Sequence, residues 1–412
     1  MANVTWETEA DPVAAGMDAE RLERLTEHFR TRYVEPGKLP GCQLVVARGG
    51  VVAYARSLGL SDRERHREVE AGTIWRIYSM TKPLTSIALM QRYEQGDFLL
   101  TDPVSRFIPE WSDLKVEVTS EDGSTHLVEP ERPMNMRDAL MHTTGLAGAV
   151  VPSHPLDYRY AKAVQEQRSG MTLERACTML AEYPLKFHPG TRWNYGLSTD
   201  VCARLVEVLS GTRFDHYLAD EVLAPLGMLD TGFVVPDEDS ERFAACYAYR
   251  KGAEPALLDD PETSAYRRQR SYLSGAGGLV STTGDYLRFC QMLVAGGALE
   301  GRRVIGRKTL ELMTANHLPG GTDLRHLATG GFGESGFDGV GFGLGFAVNL
   351  GPEATAGVGS AGEYSWGGAA STAFFVDPAE ELTAVFMTQL MPSTCYPIRA
   401  QLRSLVYQAI AD

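Results

Sequence analysis

Lysine is scarce in this chain of 412 residues: of its 39 positive charges only seven are lysines, so each can be asked individually what it does. Asp and Glu number 53, the net charge is -14, and no block of positives is clustered anywhere. That excludes nucleic acid as an expected partner, because phosphate contact needs a basic stripe that releases counterions. The first nine residues are acidic and carry neither a positive n-region nor an apolar h-region, so they do not read as a secretory signal. No apolar run approaches the roughly 20 residues that span a bilayer, and a soluble, cytoplasmic protein with no membrane partner is expected. The six cysteines, at 42, 177, 202, 246, 290 and 395, lack the short paired spacing of a zinc site or a disulfide framework. They read as reduced and mostly buried small hydrophobes.

Several catalytic signatures are missing as well. There is no His-Glu-x-x-His, no Walker loop and no Gly-x-Gly-x-x-Gly between a strand and a helix, so neither metal nor cofactor is expected. No serine lies in a Gly-x-Ser-x-Gly elbow; the near misses are Gly196-Leu197-Ser198-Thr199-Asp200 and Gly333-Glu334-Ser335-Gly336-Phe337. The nine histidines are dispersed, which leaves a Ser-His-Asp triad without a location. His142, ahead of Thr143-Thr144-Gly145, is assigned to closing the helix that precedes it.

With 44% hydrophobic residues the chain can bury a sizeable core, in one large domain or two intertwined ones. Leu22, Leu25 and Phe29 predict a helix over 18–33. Cys42 to Ala47 and Val51 to Ala55 flank Gly49-Gly50 and predict a hairpin. The far end mirrors this: Ala373 to Val376 and Leu382 to Thr388 flank Asp377-Pro378, and Ile398, Leu402, Leu405 and Ile410 mark a terminal helix. The expected class is α+β, an antiparallel sheet with the terminal helices on one face bringing the two chain ends together. Between 97 and 234 helical pieces dominate: Pro133 to Met141, Leu173 to Leu180, Ser198 to Leu209 and Phe214 to Leu223. The expected division is therefore 1–96 with 235–412 as a sandwich, and 97–234 as a mostly helical insertion. The glycine-heavy stretch Thr329 to Phe346 has no Gly-Lys-Ser/Thr ending and reads as a loop running into a strand.

The lysines give the sharpest lead. Ser79-Met80-Thr81-Lys82 places a hydroxyl and an amine three residues apart, on one face if the segment is helical. Ser79 is expected to cap that helix, Pro83 falls in its first turn, and Gly96 follows the apolar run Leu84 to Met90 as a stop. Leu84, Ile87, Ala88, Leu89 and Met90 leave little polar face, so the helix should be buried. Burial lowers an amine's pKa, as a lysine acting as a base requires. With 23 serines and seven lysines, chance alone supplies roughly 0.4 such spacings. A second match, Ser112 to Lys115, precedes the β-like Val116-Glu117-Val118 and is assigned to a surface turn.

The stretch from Ile77 through Pro83 to Gly96, Leu99 and Asp102-Pro103-Val104 resembles the nucleophile region of serine β-lactamase-related hydrolases, specifically the family VIII carboxylesterases grouped with class C β-lactamases. Leu140 to Leu146, Pro189 to Tyr195, Pro225 to Met228 with Asp230-Thr231, and Trp366-Gly367-Gly368 follow in the family's order. The resemblance implies a β-lactamase/DD-peptidase-like fold, Ser79 as acylated nucleophile, Lys82 as its activating amine and Tyr195 as proton shuttle. It also implies an oxyanion hole from the N–H groups of Ser79 and Ala369, beside the third motif at Trp366, Gly367 and Gly368.

Two departures bear on substrate. Leu197 stands where β-lactamases end the second motif in asparagine, and Trp366 replaces a lysine or histidine that would meet a substrate carboxylate. An indole offers an apolar wall and one donor instead. The expected activity is hydrolysis of small to medium carboxylic esters through an acyl-enzyme. An acyltransferase on the same scaffold, a β-lactamase or a D-amino-acid peptidase are the alternatives.

Overall fold

The computed structural model describes residues 10–149, 152–167, 170–329 and 337–411. The N-terminal segment 1–9 and the near-elbow around Ser335 lie outside the described residues.

Eight strands form one sheet: β1 (Gly41–Arg48), β2 (Val51–Asp62), β3 (Arg67–Glu68), β4 (Val340–Phe342), β5 (Ala347–Asn349), β6 (Tyr364–Gly367), β7 (Ala373–Asp377) and β8 (Leu382–Thr388). Their order across the sheet is β4-β5-β6-β7-β8-β1-β2-β3, and every pairing is antiparallel. The predicted hairpin is present: Arg48 pairs with Val51 across Gly49 and Gly50, whose φ values are +58° and +78°. A two-residue turn matched to strand twist needs positive φ at both positions, which glycine adopts without strain. The C-terminal hairpin docks on the first one, with Cys42 opposite Thr388 and Arg48 opposite Leu382.

The helices that matter for the site and the sheet are α1 (Ala19–Phe29), α2 (Thr81–Glu94), α3 (Met136–Met141), α4 (Pro155–Glu166), α5 (Leu173–Leu180), α6 (Ser198–Ser210), α7 (Phe214–Leu218), α8 (Thr283–Val294) and α9 (Ile398–Tyr407). Side chains alternate across a strand, and the sheet uses both faces. Leu44, Val46, Phe375, Ala384 and Phe386 pack with Leu22, Leu25 and Phe29 of α1 and Leu402 and Val406 of α9. Val45, Ala47, Phe374, Val376, Val385 and Met387 join the larger core on the opposite face, where Tyr286 of α8 meets Phe374 at 5.1 Å between rings. The expected α+β architecture, an antiparallel sheet with both terminal helices on one face, is therefore present, and the chain ends meet. Asp18 N–H donates to Ala409 O at 2.8 Å and Met17 bridges Ile410.

The helix α2 has every residue from Thr81 to Gln91 buried, as its apolar sequence demands. The core around it runs without interruption from the sheet into the 97–234 segment, joining Val45 and Phe374 to Met136, Leu173 and Val201. Some boundaries differ from expectation. Asn135 caps α3, with its side chain accepting from Asp138 N–H and the Asp138 carboxylate accepting from Asn135 N–H, so Pro133 and Met134 stay outside the helix. The mostly helical segment also holds an antiparallel hairpin, Val116–Thr119 with Thr125–Val128. Ile410 lies beyond α9, in its pairing with Met17. All six cysteines are free, five of them buried. No described helix is long and apolar enough to cross a membrane.

Phe386 is fully buried under α1, its ring 4.9 Å from that of Phe29. Truncating it opens a cavity in the core that the sheet shares with both terminal helices. Phe386→Ala is expected to cost about 3–5 kcal/mol, read from the urea unfolding midpoint; a loss below about 1 kcal/mol would contradict this packing.

Candidate active site

A short strand, Ile74–Arg76, pairs with Val280–Thr282 and feeds a single tight helical turn, Tyr78–Met80, that leads straight into α2. Tyr78 has φ +42°, an unfavourable backbone for a bulky residue and a mark of local strain at the serine that follows. The turn is over-determined by its neighbours. Ile77 N–H donates to Leu279 O at 3.1 Å, Met80 N–H to Ile77 O at 3.0 Å, and the Tyr286 hydroxyl to Met80 O at 2.9 Å.

Ser79 does not cap α2, contrary to expectation. The cap position is Met80, which has no side-chain hydrogen bond to the helix. The Ser79 hydroxyl is engaged elsewhere: it accepts from Lys82 Nζ at 3.2 Å. Lys82, 2% exposed, also donates to Ala276 O at 2.7 Å, and its Nζ lies 4.4 Å from the centroid of the Tyr195 ring. Ala276 is held in turn by Asp200, the third residue of α6, whose Oδ1 accepts from Ala276 N–H at 3.2 Å and from Ser274 Oγ at 2.7 Å. Burial raises the Asp200 pKa, against the pull of Ser274 and the Lys82 charge.

Tyr195 is 2% exposed and boxed by rings. Trp193 stacks on it at 5.7 Å and 20°, with His142 at 5.1 Å and Trp366 at 5.4 Å. The backbone that carries it is fixed by Asn194 N–H donating to His142 O and Trp193 N–H to Leu327 O, both at 2.9 Å. Trp366 Nε1–H donates to the Tyr195 hydroxyl at 3.3 Å, so the single donor of the indole is directed to the phenol. His142 closes α3 at φ +61°, in agreement with the sequence, and Thr199 Oγ1 lies 3.3 Å from its Nε2. Burial, and secondarily the Lys82 charge, hold its pKa well below the ordinary 6.5, and the ring is neutral.

The Trp366-Gly367-Gly368 segment ends β6, against the Tyr78–Met80 turn. Gly368 N–H donates to Thr372 O at 2.9 Å, closing a turn in which Ala369 is half-buried. A Cβ on Gly368 would come 2.5 Å from Ile77 O, so the close approach of the two segments requires glycine there. The structure thus brings Ser79, Lys82, Tyr195 and Trp366 into one site, with Gly367, Gly368 and Ala369 along its border. Ser112 and Lys115 are elsewhere, in a surface turn where Lys115 pairs with Asp113 at 2.8 Å and Glu129 at 2.6 Å. Among the described residues no group of three or more His, Cys, Asp or Glu is arranged to hold a metal.

Sequence reasoning missed three contributors. The Ala276 carbonyl has no side-chain signature at all. Asp200 was visible only as the last residue of a failed elbow. Lys186 is a second buried lysine: its Nζ donates to Asp157 at 2.8 Å and to Asn194 Oδ1 at 3.0 Å, beside Tyr195. Burial works against the Asp157 carboxylate, but the Lys186 hydrogen bond and the Ala149 N–H outweigh it, and its pKa is lowered.

Comparison with known proteins identifies the family. The beta-lactamase family model matches residues 23–408. The esterase EstB of Burkholderia gladioli is 30% identical over 96% of this chain and 98% of its own length. Monacolin J acid methylbutanoyltransferase of Aspergillus terreus is 28% identical over 73% of this chain and 72% of its own length. The solved structure of EstCE1, described as a hydrolase with promiscuous acyltransferase activity, superposes with a TM-score of 0.76 at 26% identity, covering 95% of this chain and 99% of that one. A serine with its lysine at the start of a buried helix, a facing tyrosine and a match over almost the whole length lead to one conclusion: the chain belongs to the beta-lactamase family of serine hydrolases.

Proposed function

We propose that this protein is a cytoplasmic serine carboxylesterase acting on small to medium, uncharged esters through an acyl-enzyme on Ser79. The observation that carries the reading is the buried hydrogen bond between Lys82 Nζ and Ser79 Oγ beneath the Tyr195 ring. The Ser79 oxygen attacks the ester carbonyl carbon as its proton passes to the Lys82–Tyr195 pair. The negative oxygen of the tetrahedral intermediate is met by the N–H groups of Ser79 and Ala369. Collapse breaks the ester C–O bond, and the departing alkoxide takes the proton back to leave as alcohol. Water then repeats the sequence on the acyl group, releasing the acid and restoring the serine.

Tyr195 suits the shuttle because its hydroxyl accepts from Trp366 Nε1–H and its ring faces Lys82 Nζ. Trp366 also supports the choice of substrate. Where a carboxylate-bearing β-lactam or peptide stem would need a cation, this site has an indole already committed to Tyr195, while ester carbonyls need less activation than amides. Acyl transfer to an alcohol in place of water is the second reading, favoured by the transferase activities named for the monacolin enzyme and EstCE1. Both readings share the acyl-enzyme and differ only in its acceptor.

Ser79→Ala is expected to abolish p-nitrophenyl butyrate hydrolysis and labelling by a fluorophosphonate probe; equal rates in the two proteins would refute the reading. Butyl butyrate formation when butanol is added reports the transferase share. Trp366→Phe keeps the apolar wall and removes only the donor. It should lower kcat about tenfold, the loss of one hydrogen bond worth about 1.4 kcal/mol, and an unchanged kcat would remove Trp366 from the proton path. His142 supplies the pH prediction. The unfolded chain protonates this ring near 6.5 and the folded chain only well below it, so the unfolded state binds more protons in that window and stability falls as pH drops below 6.5. Urea midpoints at pH 7 and pH 5 should therefore diverge more for the native chain than for His142→Gln.

A further inference from the structure

The third motif has a second face. Along β6 the side chains alternate, so Trp366 points toward Tyr195 while Ser365 and Gly367 face the side on which α9 lies. A Cβ on Gly367 would fall inside the guanidinium of Arg399, the second residue of α9. That guanidinium reaches through the space the glycine leaves and donates from one nitrogen, Nη2, to two carbonyls: Gly368 O at 2.9 Å and Thr372 O at 3.0 Å. These carbonyls stand at the two ends of the turn that carries Ala369.

The same turn is tied at other points. Gly368 N–H donates to Thr372 O, Leu390 N–H to Ala370 O at 3.1 Å, and Ser371 Oγ to Leu390 O at 2.7 Å. Ser371 itself holds φ +69°, a left-handed backbone that persists only when its surroundings enforce it. Arg399 is the charged member of this set. A guanidinium donating to two carbonyls polarises both and fixes their separation, which an uncharged residue at 399 would not do.

We propose that Arg399 positions the oxyanion hole: seated behind Gly367, it holds the Gly368–Thr372 turn so that the Ala369 N–H aims at the developing negative oxygen. The inference rests on the reading of Ala369 as an oxyanion donor. On this account the first glycine of Trp-Gly-Gly is there to seat an arginine from the far face of the sheet, and the second allows close approach to Ile77. Arg399 also lines a cavity of about 620 Å³ with Ser365, Thr394, Tyr396 and Arg403, which gives a small cation a route to its position.

The test uses p-nitrophenyl butyrate with the full chain. Arg399→Ala should lower kcat about 30-fold, less than the complete loss of an oxyanion donor, with KM changed less than twofold. Guanidinium chloride, far below denaturing concentrations, should restore at least part of kcat in Arg399→Ala by reoccupying the vacated seat. Gly367→Ala should show the same loss with no rescue, since the added methyl blocks that seat, and it tests the proposal independently if Arg399→Ala folds poorly. An unchanged kcat in Arg399→Ala, or a loss that guanidinium does not relieve, would overturn the inference. Full activity in Ser79→Ala would instead overturn the reading of the site on which it rests.

Discussion

The site is organised around an amine taken out of water. Lys82 is placed by the first turn of a helix with no solvent face, and desolvating a cation costs several kcal/mol unless other groups replace its water. The Ser79 hydroxyl, the Ala276 carbonyl and the face of the Tyr195 ring do so here. The last of these is a cation–π contact, which gains strength where water is excluded. Each partner comes from a different part of the chain. Correct placement of one lysine therefore requires the turn before α2, the segment after Tyr272 and the loop between α5 and α6 to be in register together.

That requirement explains why so much of the surrounding structure is polar yet buried. Asp200 exists in this geometry to hold the segment bearing the Ala276 carbonyl, and its raised pKa is the energetic consequence of placing a carboxylate in a closed core. Asp157 and Lys186 do comparable work for the loop on the other side of Tyr195. The Asp157 carboxylate accepts from the N–H groups of Gly148, Ala149, Ser153 and His154, and Lys186 links it to Asn194. A buried ion pair of this kind adds little net stability compared with a well-packed apolar substitute. Its value lies in specifying one arrangement of the segment ahead of Tyr195.

What was legible in the sequence follows from the same division. Periodicity exposed the terminal helices, both hairpins and the buried α2, because each buries a face whose pattern is local. The Ser79–Lys82 spacing was legible because a helix converts three residues of separation into contact. Ser79 as a cap was a misreading with a physical cause: a serine before a helix suits a cap, but the tight turn Tyr78–Met80 puts Met80 in the cap position and leaves the Ser79 hydroxyl to Lys82. Ala276 was beyond reach, since a backbone carbonyl has no residue type. Lys186 carried no motif. Its role depends on Asp157, 29 residues earlier, and on a loop that brings the two together.

The strand β6 shows how a motif can serve two faces at once. Trp366 completes the aromatic box on the reactive side and commits its N–H to Tyr195, while one residue later the absence of a side chain admits Arg399 from the other side. Gly367 pairs with Ala373 of β7, and the nearest atoms a side chain at 367 would meet are those of the Arg399 guanidinium. The constraint comes from behind the sheet. This brings a polar side chain of the terminal helix, whose apolar face closes the fold, to the turn that follows Trp-Gly-Gly. The first and last segments of the chain, joined across β1 and β8, thereby support the Gly368–Thr372 turn.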